Sequence, residues 1–195
     1  IPINENELKK IAKKLKNNNI KSVAICFLHS YLNPSHEVYA KEVLKKFLDD
    51  DTFICCSYEI LPEIREYERT STTVVNAYLG PTIKRYLKKF SSRLDNLGIN
   101  ASRFIMQSNG GQMTFEDAIQ FPAYLLESGP AAGVVAASEL SKQKNIKKAI
   151  TLDIGGTTAK TAIIENFGPS RTGEYEVGSG INLSSKLTRG AGYAV

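Results

Sequence analysis

Residues 151–164 read Thr-Leu-Asp-Ile-Gly-Gly-Thr-Thr-Ala-Lys-Thr-Ala-Ile-Ile, and their types and spacing point to anion chemistry. A β-branched run delivers Asp153, Gly155, Gly156, Thr157 and Thr158 to one place, and a second apolar run leaves it. The pattern predicts a strand, a tight turn and a strand, with polar groups gathered at the turn. Gly155 and Gly156 lack a Cβ, so backbone N–H groups there can approach an anion. Thr157 and Thr158 add hydroxyl donors, and Asp153 can hold a hydrated Mg²⁺ or orient a water. The chemistry expected is nucleotide-phosphate binding by a loop of the hairpin kind. In the Walker and dinucleotide patterns a helix follows the glycines; here a strand does. The same residues also suit a plain β-hairpin with a Gly-Gly turn. Lys160 leaves two readings open as well: contact with phosphate, or an ion pair with a neighbouring acid.

The elements that must position this loop precede it. Ser128-Gly129-Pro130 opens a run of small residues, and a connecting helix is expected over 129–143, with Ser128 or Gly129 as cap and Pro130 in the first turn. Its small residues suit close packing on a sheet, and the polar link Ser141–Lys148 leads to a strand at Ala149–Ile154. Near the amino terminus, Asn4-x-x-Glu7 resembles a capping pair, with Leu8, Ile11 and Leu15 at helical spacing. Ser22–Leu28 and Thr52–Ser57 read as strands, and Asn33-Pro34 reads as the N-cap and first turn of a helix between them. A long helical stretch covers about Ser71–Leu97, and Gly80-Pro81 should kink or split it. Arg103–Gln107 reads as a strand, Ser108–Gly111 as a turn, and Thr114–Asp117 as the cap of a short helix closed by Phe121-Pro122. Alternating helices and strands predict an α/β fold with a parallel or mixed sheet.

Composition narrows the function classes. At 195 residues, with 42% hydrophobic and 23% charged, the chain reads as a globular protein able to bury a core. Its net charge of +5 comes mostly from lysine-rich helical faces, which are expected to be solvated, so no nucleic-acid partner is expected. No apolar run is long enough to span a bilayer, so no membrane partner is expected either. Cys26, Cys55 and Cys56 lack metal-ligand spacing, and buried thiols in a reducing cytoplasm are expected. His29 and His36 could meet at one sheet edge, but core packing or helix-end hydrogen bonding outweighs a metal role. No nucleophilic triad can be assembled. Glu59, Glu63, Arg65, Glu66, Glu68 and Arg69 form a dense charged cluster, either a substrate- or domain-facing loop with Arg69 gripping a carboxylate, or a salt-bridged surface turn. Asn109, Gly110 and Gly111 could present amides to substrate or to the transferred phosphate, or form a simple turn.

A small-residue helix feeding a strand that ends in Asp-x-Gly-Gly-Thr resembles the ribonuclease-H-like ATPase core shared by actin, sugar kinases and heat-shock chaperones, present here in part. Residues 57–73 (Ser-Tyr-Glu-Ile-Leu-Pro-Glu-Ile-Arg-Glu-Tyr-Glu-Arg-Thr-Ser-Thr-Thr), Gln107–Gln112 and Leu126–Val134 sharpen the match. With Asp153–Thr158 they resemble the A-type, ATP-binding subunit of the hydantoinase/5-oxoprolinase family, which includes the ATP-binding subunits of acetone- and acetophenone-type carboxylases. The resemblance runs from about Phe27 to the last residue. It implies the end of the family's N-terminal region at 1–69 and the start of its core domain at 70–195, with the phosphate loop at 151–164. It also implies ATP and Mg as cofactors, a small cyclic amide (hydantoin, N-methylhydantoin or 5-oxoproline) as substrate, a B-type subunit as partner, and an oligomer. A ketone-carboxylase subunit is the alternative, and a nucleotide-driven sensor or chaperone-like ATPase the second. Many family members carry Ser-Thr-Asp where this chain has Thr158-Ala159-Lys160, so a second acid is missing from the loop. Family members are much longer, and this chain is expected to be an internal fragment, inactive alone.

Overall fold

A computed structural model describes residues 2–64, 66–156 and 159–172, with short strand segments at 175–176, 186–188 and 192–193. The chain divides into two compact units, Ile1–Ala101 with Ile119–Ala123, and Ser102–Ala118 with Tyr124–Val195. No helix among the described residues is long and apolar enough to cross a membrane.

In the first unit, α1 (Glu5–Asn17) is capped by Asn4, whose side chain accepts from the N–H groups of Asn6 and Glu7. Its buried stripe is Leu8 and Ala12, whereas Ile11, expected on that stripe, is 49% exposed. Strand β1 (Ser22–Ile25) pairs in parallel with β2 (Phe53–Cys56), in register from Ser22↔Phe53 to Ile25↔Cys56. The apolar run to Leu28 is longer than the strand, and the Phe27 N–H donates instead to Glu37 Oε1, at 2.7 Å. Between the strands, α2 (Ser35–Phe47) has Pro34 at its cap position, and the expected cap Asn33 lies one residue earlier, accepting from the Ser35 N–H at 3.1 Å.

Alternation along the strands sends side chains to two faces. Ile25 and Cys56 join Leu8, Ala12, Ala40, Val43, Leu44 and Leu48 in a core beneath α1 and α2. Phe53 and Cys55 join Ile60 and Ala77 on the other face. That face is covered by α4 (Glu66–Asn96), reached through the short α3 (Ser57–Ile60). The expected split at Gly80-Pro81 does not occur: α4 is one helix of 31 residues with Pro81 inside it. Gly80 is buried against the Phe53 ring, and packing on β1 and β2 overrides the lost Pro81 N–H.

In the second unit, β3 (Phe104–Met106) and β4 (Gln112–Thr114) form an antiparallel hairpin. Thr114 Oγ1 then accepts from the Asp117 N–H at 3.1 Å, starting α5 (Phe115–Gln120). Helix α6 (Ser128–Gln143) leads into β5 (Lys148–Ile154), β6 (Ala159–Glu165) and β7 (Gly168–Pro169), an antiparallel sheet in the order β5-β6-β7. Ala131 and Val134 of α6 pack on Ala162, and Ser138 Oγ donates to Phe167 O at 2.7 Å. The helix was expected to be capped by Ser128 or Gly129. Instead Glu127 holds the cap position with φ 58° and no side-chain cap bond.

Candidate functional site

Strands β5 and β6 pair across seven registered positions, ending at Asp153↔Lys160 and Ile154↔Ala159, with Gly155 and Gly156 following β5. Thr157 and Thr158 lie outside the described residues. Directly opposed residues of an antiparallel pair point to the same face, which sets Asp153 and Lys160 side by side. Both line an open groove of about 500 Å³ in this unit, together with Pro130, Gly133 and Ala137 of α6. Gly155 and Gly156, which follow β5, are exposed, and nothing lies within 4 Å of where a Cβ on Gly156 would sit. Gly129 and Gly133 are equally open, so the small-residue stripe does not lie close against the sheet along its whole length. Lys160 Nζ pairs with the Glu127 carboxylate at the amino-terminal corner of α6. Of the two readings left open for Lys160, an ion pair with a neighbouring acid is the arrangement present. The Asp153 side chain is exposed and has no hydrogen bond or ion pair among the described residues.

The donor set suits a phosphate accompanied by Mg²⁺. Open glycine backbone and an ammonium favour an anion, and one unengaged carboxylate can hold a hydrated divalent cation, which commonly takes few protein ligands. Among the described residues no group of three or more His, Cys, Asp or Glu is placed to hold a metal ion.

The other candidates are not among the residues that line this groove. Gly110 N–H donates to Gln107 O at 3.0 Å and Gly111 N–H to Asn109 Oδ1 at 2.7 Å, so these amides serve the β3–β4 turn, where Gly110 has φ 80°. Arg69, in the first unit, is wholly buried. Its guanidinium donates to Ser57 Oγ at 3.1 Å, Glu63 O at 2.7 Å and Phe27 O at 2.8 Å, and lies over the Tyr31 ring. Within the same charged cluster, Glu59 is bound by Lys41 at 2.7 Å and Arg65 lies outside the described residues. The surface-turn reading therefore fails for Arg69, whereas Glu59 is salt-bridged as that reading expects, though partly buried. His29 and His36 are both exposed, contrary to the core reading, with the His29 ring edge-on to Tyr31.

Sequence reasoning missed three polar residues. Glu37 is fully buried and accepts from the Phe27 N–H, Ser57 Oγ and the Tyr58 N–H. Asn76, also fully buried, donates to Gln120 O and accepts from the Ala123 N–H. Glu127 had a usable signal, a carboxylate immediately before a helix whose own cap was ambiguous.

Comparison with known proteins places this geometry. An uncharacterised protein of Methanocaldococcus jannaschii is 48% identical over 194 residues, covering 100% of this chain and 28% of the relative. Caprolactamase subunit alpha of Pseudomonas jessenii is 36% identical (80% of this chain, 22% of the relative), and 5-oxoprolinase of Saccharomyces cerevisiae 34% (86% and 12%). The chain thus spans 12–28% of the length of these relatives. Nucleotide-free acetone carboxylase superposes with a TM-score of 0.79 at 24% identity, covering 91% of this chain and 25% of that one. The ATP-dependent caprolactamase of Pseudomonas jessenii gives 0.69 at 32% identity (83% and 23%). The expected α/β fold, part of an actin-like ATPase core, is the one present. The model of the hydantoinase/oxoprolinase N-terminal region matches residues 1–48 and the hydantoinase/oxoprolinase model residues 69–193, and the chain belongs to that family.

Proposed function

We propose that the protein containing this chain is an ATP-dependent hydrolase of cyclic amides, and that residues 151–164 carry part of its Mg-nucleotide phosphate site. The observation that carries this reading is the β5–β6 hairpin, which sets Asp153 and Lys160 beside one another in the lining of a groove and leaves Gly156 open just beyond β5. An unstrained lactam or ureide resists hydrolysis, and ATP supplies phosphorylation of the carbonyl oxygen, turning it into a good leaving group. In this reading Asp153 holds the hydrated Mg²⁺ or orients a water, while Gly155, Gly156, Thr157, Thr158 and Lys160 neutralise phosphate charge. Asn109, Gly110, Gly111 and Arg69 would then serve by positioning rather than by direct contact, since their polar groups are engaged internally. A B-type subunit is the proposed partner and the cytoplasm the proposed location. Relatives named for lactam or oxoproline chemistry are 36% and 34% identical over most of this chain, and those named as acetophenone and acetone carboxylase subunits 23% and 26%, which supports the hydrolase reading.

The test is calorimetric titration of the intact protein with MgATP, followed by phosphate release with hydantoin, 5-oxoproline, caprolactam, or acetone plus bicarbonate. Micromolar MgATP binding and stimulation by one cyclic amide are expected. Asp153→Asn should weaken Mg-dependent binding by roughly 10- to 100-fold, about 1.4–2.7 kcal/mol. Stimulation by acetone plus bicarbonate alone would move the assignment to a carboxylase. Binding without stimulation by any substrate would favour a sensor.

A further inference from the structure

Glu127 is oddly placed for a glutamate. It stands at the amino-terminal corner of α6 with φ 58°, a left-handed conformation that non-glycine residues rarely adopt. Its side chain makes no cap bond to the helix it precedes. The carboxylate turns to β6 and pairs with Lys160 Nζ, the two side chains being 34% and 21% exposed. A second carboxylate, that of Asp153, stands directly opposite Lys160 in the β5–β6 register. The ammonium nevertheless goes to Glu127, leaving Asp153 without an ion pair among the described residues.

We propose that Glu127 gates Lys160: its carboxylate and an incoming nucleotide phosphate compete for one ammonium, and binding of the phosphate breaks the Glu127–Lys160 pair. The inference rests on the phosphate-site reading above and adds to it a residue outside the loop. Holding Lys160 at Glu127 does two things before nucleotide arrives. It keeps the ammonium from neutralising Asp153, whose charge is wanted for a hydrated cation. It also sets a threshold, because phosphate must bind Lys160 better than a partly desolvated carboxylate does. Breaking the pair releases Glu127 at the start of α6, so occupancy of the loop is felt at the head of that helix.

Competition has a signature that a purely structural ion pair lacks. Removing the two partners should shift nucleotide affinity in opposite directions. In the intact protein, titrated with MgATP by calorimetry, K160M should bind about 10-fold more weakly, the worth of one charge-assisted contact. E127Q should bind about 3- to 10-fold more tightly, by the same affinity scale. An unchanged far-ultraviolet circular dichroism spectrum for K160M and E127Q would show that neither shift in affinity is misfolding. In the K160M background, E127Q should no longer change affinity. Tightening that persists in that background would mean simple repulsion of phosphate by Glu127 and would overturn the gate. So would weakening by both single variants. If wild-type protein fails to bind MgATP at all, the phosphate-site reading itself falls, an outcome distinct from the other two.

Discussion

A buried guanidinium must satisfy its donors, and Arg69 does so on three elements at once. It bonds Ser57 Oγ at the head of α3, Glu63 O before α4, and Phe27 O after β1. Ser57 Oγ in turn donates to Glu37 Oε1 at 2.6 Å, so an acid and a base, each fully buried, share one hydroxyl. Removing the base strands the acid. Arg69→Met should therefore lower unfolding stability by about 3–5 kcal/mol, read from urea midpoints, and Arg69→Lys should recover little because an ammonium lacks the planar fork. The thiols give a second residue-scale prediction. Burial pushes Cys55 up to about 11 and Cys56 up to about 12, from an ordinary 9.0. The folded protein thus holds these protons more tightly than the unfolded chain. Their contribution to stability is complete below pH 9 and lost as pH rises through the folded values. At pH 8, iodoacetamide should modify native Cys55 roughly 100-fold more slowly than the denatured chain. Half-buried Cys26 should label first.

At the scale of elements, α4 shows where local rules yield to packing. Glycine in a helix interior ordinarily gains about 1 kcal/mol when replaced by alanine. Here a Cβ on Gly80 would overlap the Phe53 ring, so Gly80→Ala should instead destabilise by about 1–3 kcal/mol. Pairing it with Phe53→Leu should restore part of the loss in the same urea assay. The sequence made the elements legible wherever a local pattern had a local cause. Asn4 caps α1, Thr114 caps α5, and the β-branched runs around Gly155-Gly156 become β5 and β6. It hid what depends on distant partners. Arg69 and Glu37 look solvated because charged residues usually are, and only the fold brings Ser57 between them. The Gly80-Pro81 pair looks like a break because nothing local reveals the sheet beneath it. Glu127 escaped notice because its role needs a positive φ and a lysine 33 positions on.

For the molecule as a whole, the second unit's sheet carries the most telling surface. Ile150, Leu152 and Ile154 alternate along β5, and Ile163 lies opposite Ile150, so all four side chains share the face turned away from α6. Their exposures run from 54% for Ile163 to 78% for Ile150, a contiguous apolar patch of the kind soluble monomers rarely show. The relatives are several times longer than this chain, which gives them ample chain to cover such a face. Expressed by itself, the 195-residue segment should therefore self-associate, its sedimentation coefficient rising with concentration. Ile150→Thr with Leu152→Thr should suppress that rise, because threonine keeps strand preference while removing apolar area. In a longer protein that covers this face, the same pair of substitutions should act in the opposite sense, lowering thermal stability through lost buried contacts of about 1 kcal/mol or more per residue. Equal sedimentation of wild-type and doubly substituted segments at every concentration would show that the patch drives no association.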